Sequence, residues 1–240
     1  GLEPHLHLLP PSSLGEHLRT GRLDAGLLSI TEALFHDAYV VLDGPCVASD
    51  GPVFSVILAH SKPLDSARVV HCHAASLTSV NLLRVLLAER GLHPEFRPLE
   101  DPATAPRHDF VLLIGDPAIR FRLSSPPPAH TFWDLGQAWQ ELTGLPFVYA
   151  AWVLRRDADT TRLQRLLLDA AERGRRELAG VIRSAPGFDE GFRRQYLTQH
   201  VQNHLGPREK AGIARFCELL RRHVNPSANP PSYVSPAPET

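Results

Sequence analysis

The segment Ser76-Leu77-Thr78-Ser79 puts three hydroxyls where a strand, Val69 to His73, passes into a helix carrying Leu82, Leu83, Leu86 and Leu87. The first turn of a helix has unpaired amides and a partial positive charge. Hydroxyls and amides together hold a carboxylate or phosphate without a full cation. The plainer reading is simple capping, which needs only one hydroxyl. Gly115-Asp116-Pro117 follows the wholly apolar run Phe110 to Ile114. Ligands of open α/β sheets sit beyond the carboxyl ends of strands, so Asp116 stands where an acid, a base or an acceptor is useful. The competing reading is a cap on a helix beginning at Pro117. Ser29-Ile30-Thr31, after a strand, and Ser55, after Gly51-Pro52-Val53, read either as cleft rims or as ordinary turns.

Other chemistries find less support. His71 and His73 flank Cys72 and share one face of a strand, and His200 and His204 stand four apart on an expected helix. Either pair offers two metal ligands, but no third stands at a diagnostic spacing. Val201 follows His200, so the H-E-x-x-H arrangement is absent, and no metal is expected. There is no G-x-x-x-x-G-K-[ST], no G-x-G-x-x-G and no G-x-S-x-G. Nucleotide binding through those loops and a nucleophile elbow are therefore not expected. Cys46, Cys72 and Cys217 are odd in number and far apart, which fits reduced thiols. Trp133, Trp139 and Trp152 read as core.

The elements that must position these groups follow from pattern. The chain has 240 residues, 43% hydrophobic and 21% charged, with a net charge of −1. A near-neutral balance argues against an electrostatic nucleic-acid or membrane-surface binder. No apolar run approaches the roughly 18–20 residues that span a bilayer. Gly1 to Pro11 lacks a basic start and a long apolar stretch, so a cytoplasmic location is expected. Ser13 with Glu16 reads as a capping box, with Gly21 as the stop. Leu27 to Ile30, Val40 to Leu42, Val53 to Ala59, Val69 to His73, Phe110 to Ile114 and Phe147 to Leu154 read as strands. Trp133 to Thr143 reads as a helix. Leu163, Leu166, Leu167, Ala170 and Ala171 form an amphipathic stripe. Further helices are expected around Phe188, Phe192 and Tyr196, and after Pro207. Ser124 to Pro128 reads as a loop. Proline crowds residues 225–240, so that tail is expected to be extended or disordered.

The expected class is α/β with a helical C-terminal third. Two long apolar strands bracket a βαβ-rich middle segment, which gives two lobes, a hinge and a cleft, the plan of periplasmic-binding-protein-like folds. The expected lobes are residues 1–62 with 150–224, and residues 63–149.

The residues also carry a resemblance. Gly21-Arg22-Leu23-Asp24-Ala25-Gly26-Leu27-Leu28-Ser29, Gly51-Pro52-Val53-Phe54-Ser55-Val56, Ser76 to Val80, Leu112 to Asp116 and Asp134 to Trp139 match in order. Thr143 to Trp152 (TGLPFVYAAW) is the most specific run. Over about residues 8–223 the chain resembles the menaquinone-biosynthesis family of the futalosine pathway, nearest its chorismate-dehydrating branch. The resemblance implies a cytoplasmic lyase that removes water from chorismate, with neither organic cofactor nor obligatory metal. For that chemistry Ser76, Thr78 and Ser79 are expected to bind one carboxylate, with Ser76 among the catalytic groups. Ser29, Ile30, Thr31 and Ser55 are expected to line the opposite wall, and Asp116, after Gly115, to orient the substrate or its leaving hydroxyl. No poised Glu–His pair is evident, which leaves a substrate carboxylate to share in the proton transfer. The family's opening strand ends in a motif with a functional Asn; here Gly1 to Pro10 already resembles the second strand. The sister cyclase of the pathway has a His-Glu pair where this chain reads Gly115-Asp116, which argues for dehydration. A non-catalytic solute-binding protein for a small organic anion is the rival reading.

Overall fold

A computed structural model describes residues 6–9, 11–73, 77–124 and 129–235. The apolar runs become the inner strands of two sheets. In the first sheet the order is β1 (Ala25–Ser29), β8 (Phe147–Arg155), β2 (Tyr39–Ser49) and β9 (Tyr233–Val234). β1 and β2 both run antiparallel to β8, with Ser29 opposite Ala150 and Ser49 opposite Phe147. In the second the order is β5 (Glu95–Leu99), β4 (Val69–His73), β6 (Phe110–Ile114), β3 (Val56–His60) and β7 (Thr131–Asp134). β4 lies parallel to β5 and β6, while β3 is antiparallel to both β6 and β7. Phe110 to Leu113 are all buried, because the strand they form is covered on both faces.

Register decides which ends face each other. Val56 pairs with Ile114 and Ile57 with Asp134. The start of β3 and the carboxyl ends of β4, β6 and β7 thus share one edge of the second sheet. In the first sheet Ser29, Ser49 and Phe147 share one end. The chain crosses between the sheets at residues 50–55 and again at 135–146, so these two ends form the junction. From the second sheet's edge issue α3 (Leu77–Ala88), α4 (Gly115–Arg122) and α5 (Leu135–Thr143). α3 buries Leu82, Leu83, Leu86 and Leu87 and stops before Gly91, at φ +72°. Behind the junction Trp139, Phe147 and Phe216 form a fully buried, edge-packed cluster, with centroid separations of 4.9–5.8 Å.

Beyond β8 the chain is helical: α6 (Thr161–Ser184), α7 (Glu190–Gln195), a π-helical turn Tyr196–His200, and α8 (Pro207–His223). Leu163, Leu167 and Leu168 of α6 pack on Leu42, Leu154 and Trp152. Ala170, expected in that stripe, is exposed. Trp133 lies under Arg90, whose guanidinium carbon is 4.5 Å from its ring centroid.

Several boundaries differ from expectation. α1 runs Pro11–Arg19, so Ser13 is inside the helix and does not open it. α2 (Ile30–Phe35) begins at once after β1, so Ile30 is helical. The strand expected from Val53 begins only at Val56, because Ser55 N–H bonds back to Val53 O at 2.8 Å in a tight turn. Trp133 belongs to β7, and the helix starts at Leu135 because Asp134 caps it. Asp116 does not cap α4, which already begins at Gly115 with Ile114 as its N-cap. The π-helical turn ends at His200, so His200 and His204 do not share a helix face. Residues 6–9 are irregular and not a strand. Residues 125–128 of the expected loop lie outside the described residues.

Residues 225–235 of the tail make a turn at 226–227 and then dock: Tyr233 and Val234 pair with Val41 and Leu42, and Ala228 is fully buried. Proline forbids a helix there but permits a short edge strand.

Candidate active site

The junction is lined by groups from both sheets. Ser29, at the end of β1, and Thr78, in the first turn of α3, meet with their hydroxyls 2.5 Å apart. Thr31 N–H also points at Thr78 Oγ1, at 3.4 Å. Thr78 and Ser79 are buried, Thr31 fully so, and Thr31 Oγ1 has no hydrogen-bond partner in the protein. Ile30 is fully buried in the hydrophobic core. Ser29 and Thr31, expected on the wall opposite Thr78, instead meet it directly and share one wall with it, and Ile30 packs in the core rather than on a cleft wall. Ser76 lies outside the described residues.

A second group forms around the first crossing. Ser55 Oγ accepts from Tyr196 OH at 2.7 Å, and Ser55 O accepts from Gly115 N–H at 2.7 Å. Gly115 has φ +61°, a conformation that favours glycine. Asp116 follows in the exposed first turn of α4 and acts electrostatically on Tyr196. Burial pushes the Tyr196 hydroxyl up, with Asp116 and Asp134 adding to the shift and the Ser55 hydrogen bond opposing it. The phenol therefore stays protonated and acts as a donor.

Phe54 is the one described non-glycine residue in the left-handed region, at φ +68°. Such backbone strain persists only where neighbours over-determine it. Here the Asp134 carboxylate does so. Oδ2 accepts from Phe54 N–H at 2.7 Å, and Oδ1 from Val53, Gly136 and Gln137 N–H at 3.0, 3.0 and 3.1 Å. Arg122 adds an ion pair at 3.6 Å and covers the Phe54 ring at 4.1 Å. Phe54 also packs against Phe192 and His200, at 5.3 and 5.8 Å between centroids.

Tyr196, Asp134, Arg122 and Phe54 were missed by sequence reasoning. Asp134 had a usable signal, since an Asp before Leu135-Gly136 is a capping pattern. Tyr196 had none, being 141 residues from Ser55 in the chain.

The remaining candidates lie apart from metal or nucleophile chemistry. Among the described residues no three His, Cys, Asp or Glu side chains assemble as a metal set. His71 packs against His108 with the rings tilted 35° and 3.9 Å between centroids. Burial pushes the Cys46 and Cys72 thiols up to about 12, far from a reactive thiolate. A Glu–His pair does exist: Glu89 and His223 meet at 2.5 Å, but just beyond the carboxyl end of α3, away from the junction. Among the described residues no helix is long and apolar enough to cross a membrane.

Comparison with known proteins bears on the same features. The menaquinone biosynthesis family matches residues 1–222. A chorismate dehydratase of Thermus thermophilus is 31% identical over 236 residues, covering 90% of this chain and 86% of that protein. A solved protein of Archaeoglobus fulgidus has a TM-score of 0.67 at 16% identity, over 90% of this chain and 85% of that one. The alkanesulfonate-binding protein of Xanthomonas axonopodis pv. citri, bound to MOPS, has a TM-score of 0.61 at 18% identity, over 95% and 86%. These likenesses establish the two-lobed, periplasmic-binding-protein-like α/β fold with its helical C-terminal third.

Proposed function

Because the chain belongs to the menaquinone-biosynthesis family, we propose that it is a hydro-lyase acting on chorismate. It removes one water to give 3-[(1-carboxyvinyl)oxy]benzoate. The observation that carries the reading is the 31% identity to a chorismate dehydratase over nine-tenths of the chain. The Ser29–Thr78 hydroxyl pair at the junction of the two sheets supports it.

The chemistry asks little of the protein. A ring proton and a hydroxide leave, and the product ring is aromatic, which supplies much of the driving force. The protein must orient a dianion and assist the two departures. Thr78 and Ser79 hold one carboxylate at the start of α3, where amide dipoles favour an anion. Ser29 and the Thr31 amide complete that wall. On the other side Ser55 and Asp116 orient the ring hydroxyl. Closure of the two lobes excludes water and strengthens each of these hydrogen bonds. The expected lobes, residues 1–62 with 150–224 and residues 63–149, on this reading divide instead near the crossings at 50–55 and 135–146, since β3 belongs to the second sheet.

Incubation of the purified protein with chorismate, followed by ultraviolet absorbance and mass spectrometry, tests the proposal. An aromatic product lighter by one water is expected. Chorismate that is bound but unchanged would replace the lyase with a solute-binding protein.

A further inference from the structure

We propose that Tyr196 is a positioning residue that sets the direction of the Ser55 hydroxyl, leaving its proton for an oxygen of the bound organic acid. This deepens the lyase reading and rests on it. A serine hydroxyl has one proton and two acceptor lone pairs. Tyr196 OH donates to Ser55 Oγ at 2.7 Å, so one lone pair is taken and the Ser55 proton must point elsewhere. A hydroxyl that accepts one hydrogen bond also becomes a stronger donor in the next. Ser55 is buried, yet it sits in the turn immediately before β3 at the junction edge, with Gly115 bonded to its carbonyl.

The segment that carries Tyr196 is built to deliver this one atom. Tyr196 opens a π-helical turn, a rare distortion that recurs at functional sites. Its ring stacks on Phe192, with centroids 5.8 Å apart and planes 12° from parallel. Phe192 in turn packs on Phe54, the strained residue beside Ser55. His200, at the end of the same turn, bonds to Pro52 O at 2.9 Å. The turn is thus fastened to the 50–55 crossing on both sides of the tyrosine. The facing charges are Asp116 and Asp134, both negative, so a tyrosinate is opposed and the phenol remains the donor.

Tyr196→Phe keeps the ring stack and deletes only the donor. On chorismate, kcat/KM should fall about tenfold, the worth of one hydrogen bond near 1.4 kcal/mol, with a thermal midpoint lowered by only a few degrees. Ser55→Ala should cost about 100-fold, the usual loss for one donor to a reacting oxygen. In the Ser55→Ala background Tyr196→Phe should then change kcat/KM by less than about twofold, since its only route is removed. An equal tenfold loss in both backgrounds would overturn the inference and make Tyr196 a general structural support. So would wild-type rates in Tyr196→Phe. A wild-type protein without turnover would instead sink the lyase reading itself, and the inference with it.

Discussion

Asp134→Ala should be among the most destabilising polar substitutions in this protein, because one carboxylate serves both crossings between the sheets. Its side chain is only 10% exposed. Losing the two α5 amide bonds is loss of an N-cap, about 1 kcal/mol. The Val53 and Phe54 amides lose a charged acceptor as well, and such bonds contribute roughly 1.5–3 kcal/mol each before water replaces part of them. Phe54 then has less to hold it at φ +68°. Together about 3 kcal/mol is expected, which lowers the midpoint of a chain this size by about 6–12 °C. Asp134→Asn separates the contributions. Its remaining oxygen can keep the three Oδ1 bonds, while its amide nitrogen replaces Oδ2 against Phe54 N–H and Arg122. Roughly half the loss is expected. Urea unfolding followed by circular dichroism measures both variants. A loss no larger than about 1 kcal/mol in Asp134→Ala would refute the reasoning, leaving an ordinary helix cap.

Three further outcomes are expected. Ser29→Ala and Thr78→Val each break the 2.5 Å hydroxyl pair. Each should cost about 1 kcal/mol of stability but about 100-fold in chorismate turnover, and parallel losses in rate and stability would reduce the pair to a structural tie. Gly212→Ala would drive a Cβ into the Pro146 carbonyl, where α8 crosses the loop before β8. Backbone must move, so a loss of about 1–3 kcal/mol is expected by thermal unfolding. Glu89 is held below the usual carboxylate range, first by its hydrogen bond from His223 and then by attraction to His223 and Arg222. A depressed folded value means stability that is present above the unfolded value of 4.5 and lost as pH falls through the folded one. The stability gap between wild type and Glu89→Gln should therefore close below about pH 4.5. A gap that persists unchanged to lower pH would contradict it.

Periodicity and composition were enough for the α/β class, because an apolar run such as Phe110 to Ile114 has few ways to be buried except as a covered strand. The same holds for Leu82 to Leu87, whose spacing matches one helix face. Ser29, Thr78 and Gly115 were also legible as candidates, since each stands at the end of a strand or the start of a helix, and Ser55 because it follows the Gly51-Pro52 turn signal. Local boundaries failed where a side chain from elsewhere intervened. The strand expected from Val53 is shortened by a turn that Asp134 holds from about 80 residues away. The tail was read from its prolines alone, yet it docks because β2 offers an open edge to Tyr233 and Val234.

What the residues determined unaided is the alternation of elements and the chemistry available at their ends. Which ends meet was decided by the antiparallel registers of β1 with β8 and of β3 with β6, together with the two crossings. The Ser29–Thr78 and Tyr196–Ser55 contacts span 49 and 141 residues. No local propensity encodes such pairings, because they exist only once buried strands have brought distant segments to one edge.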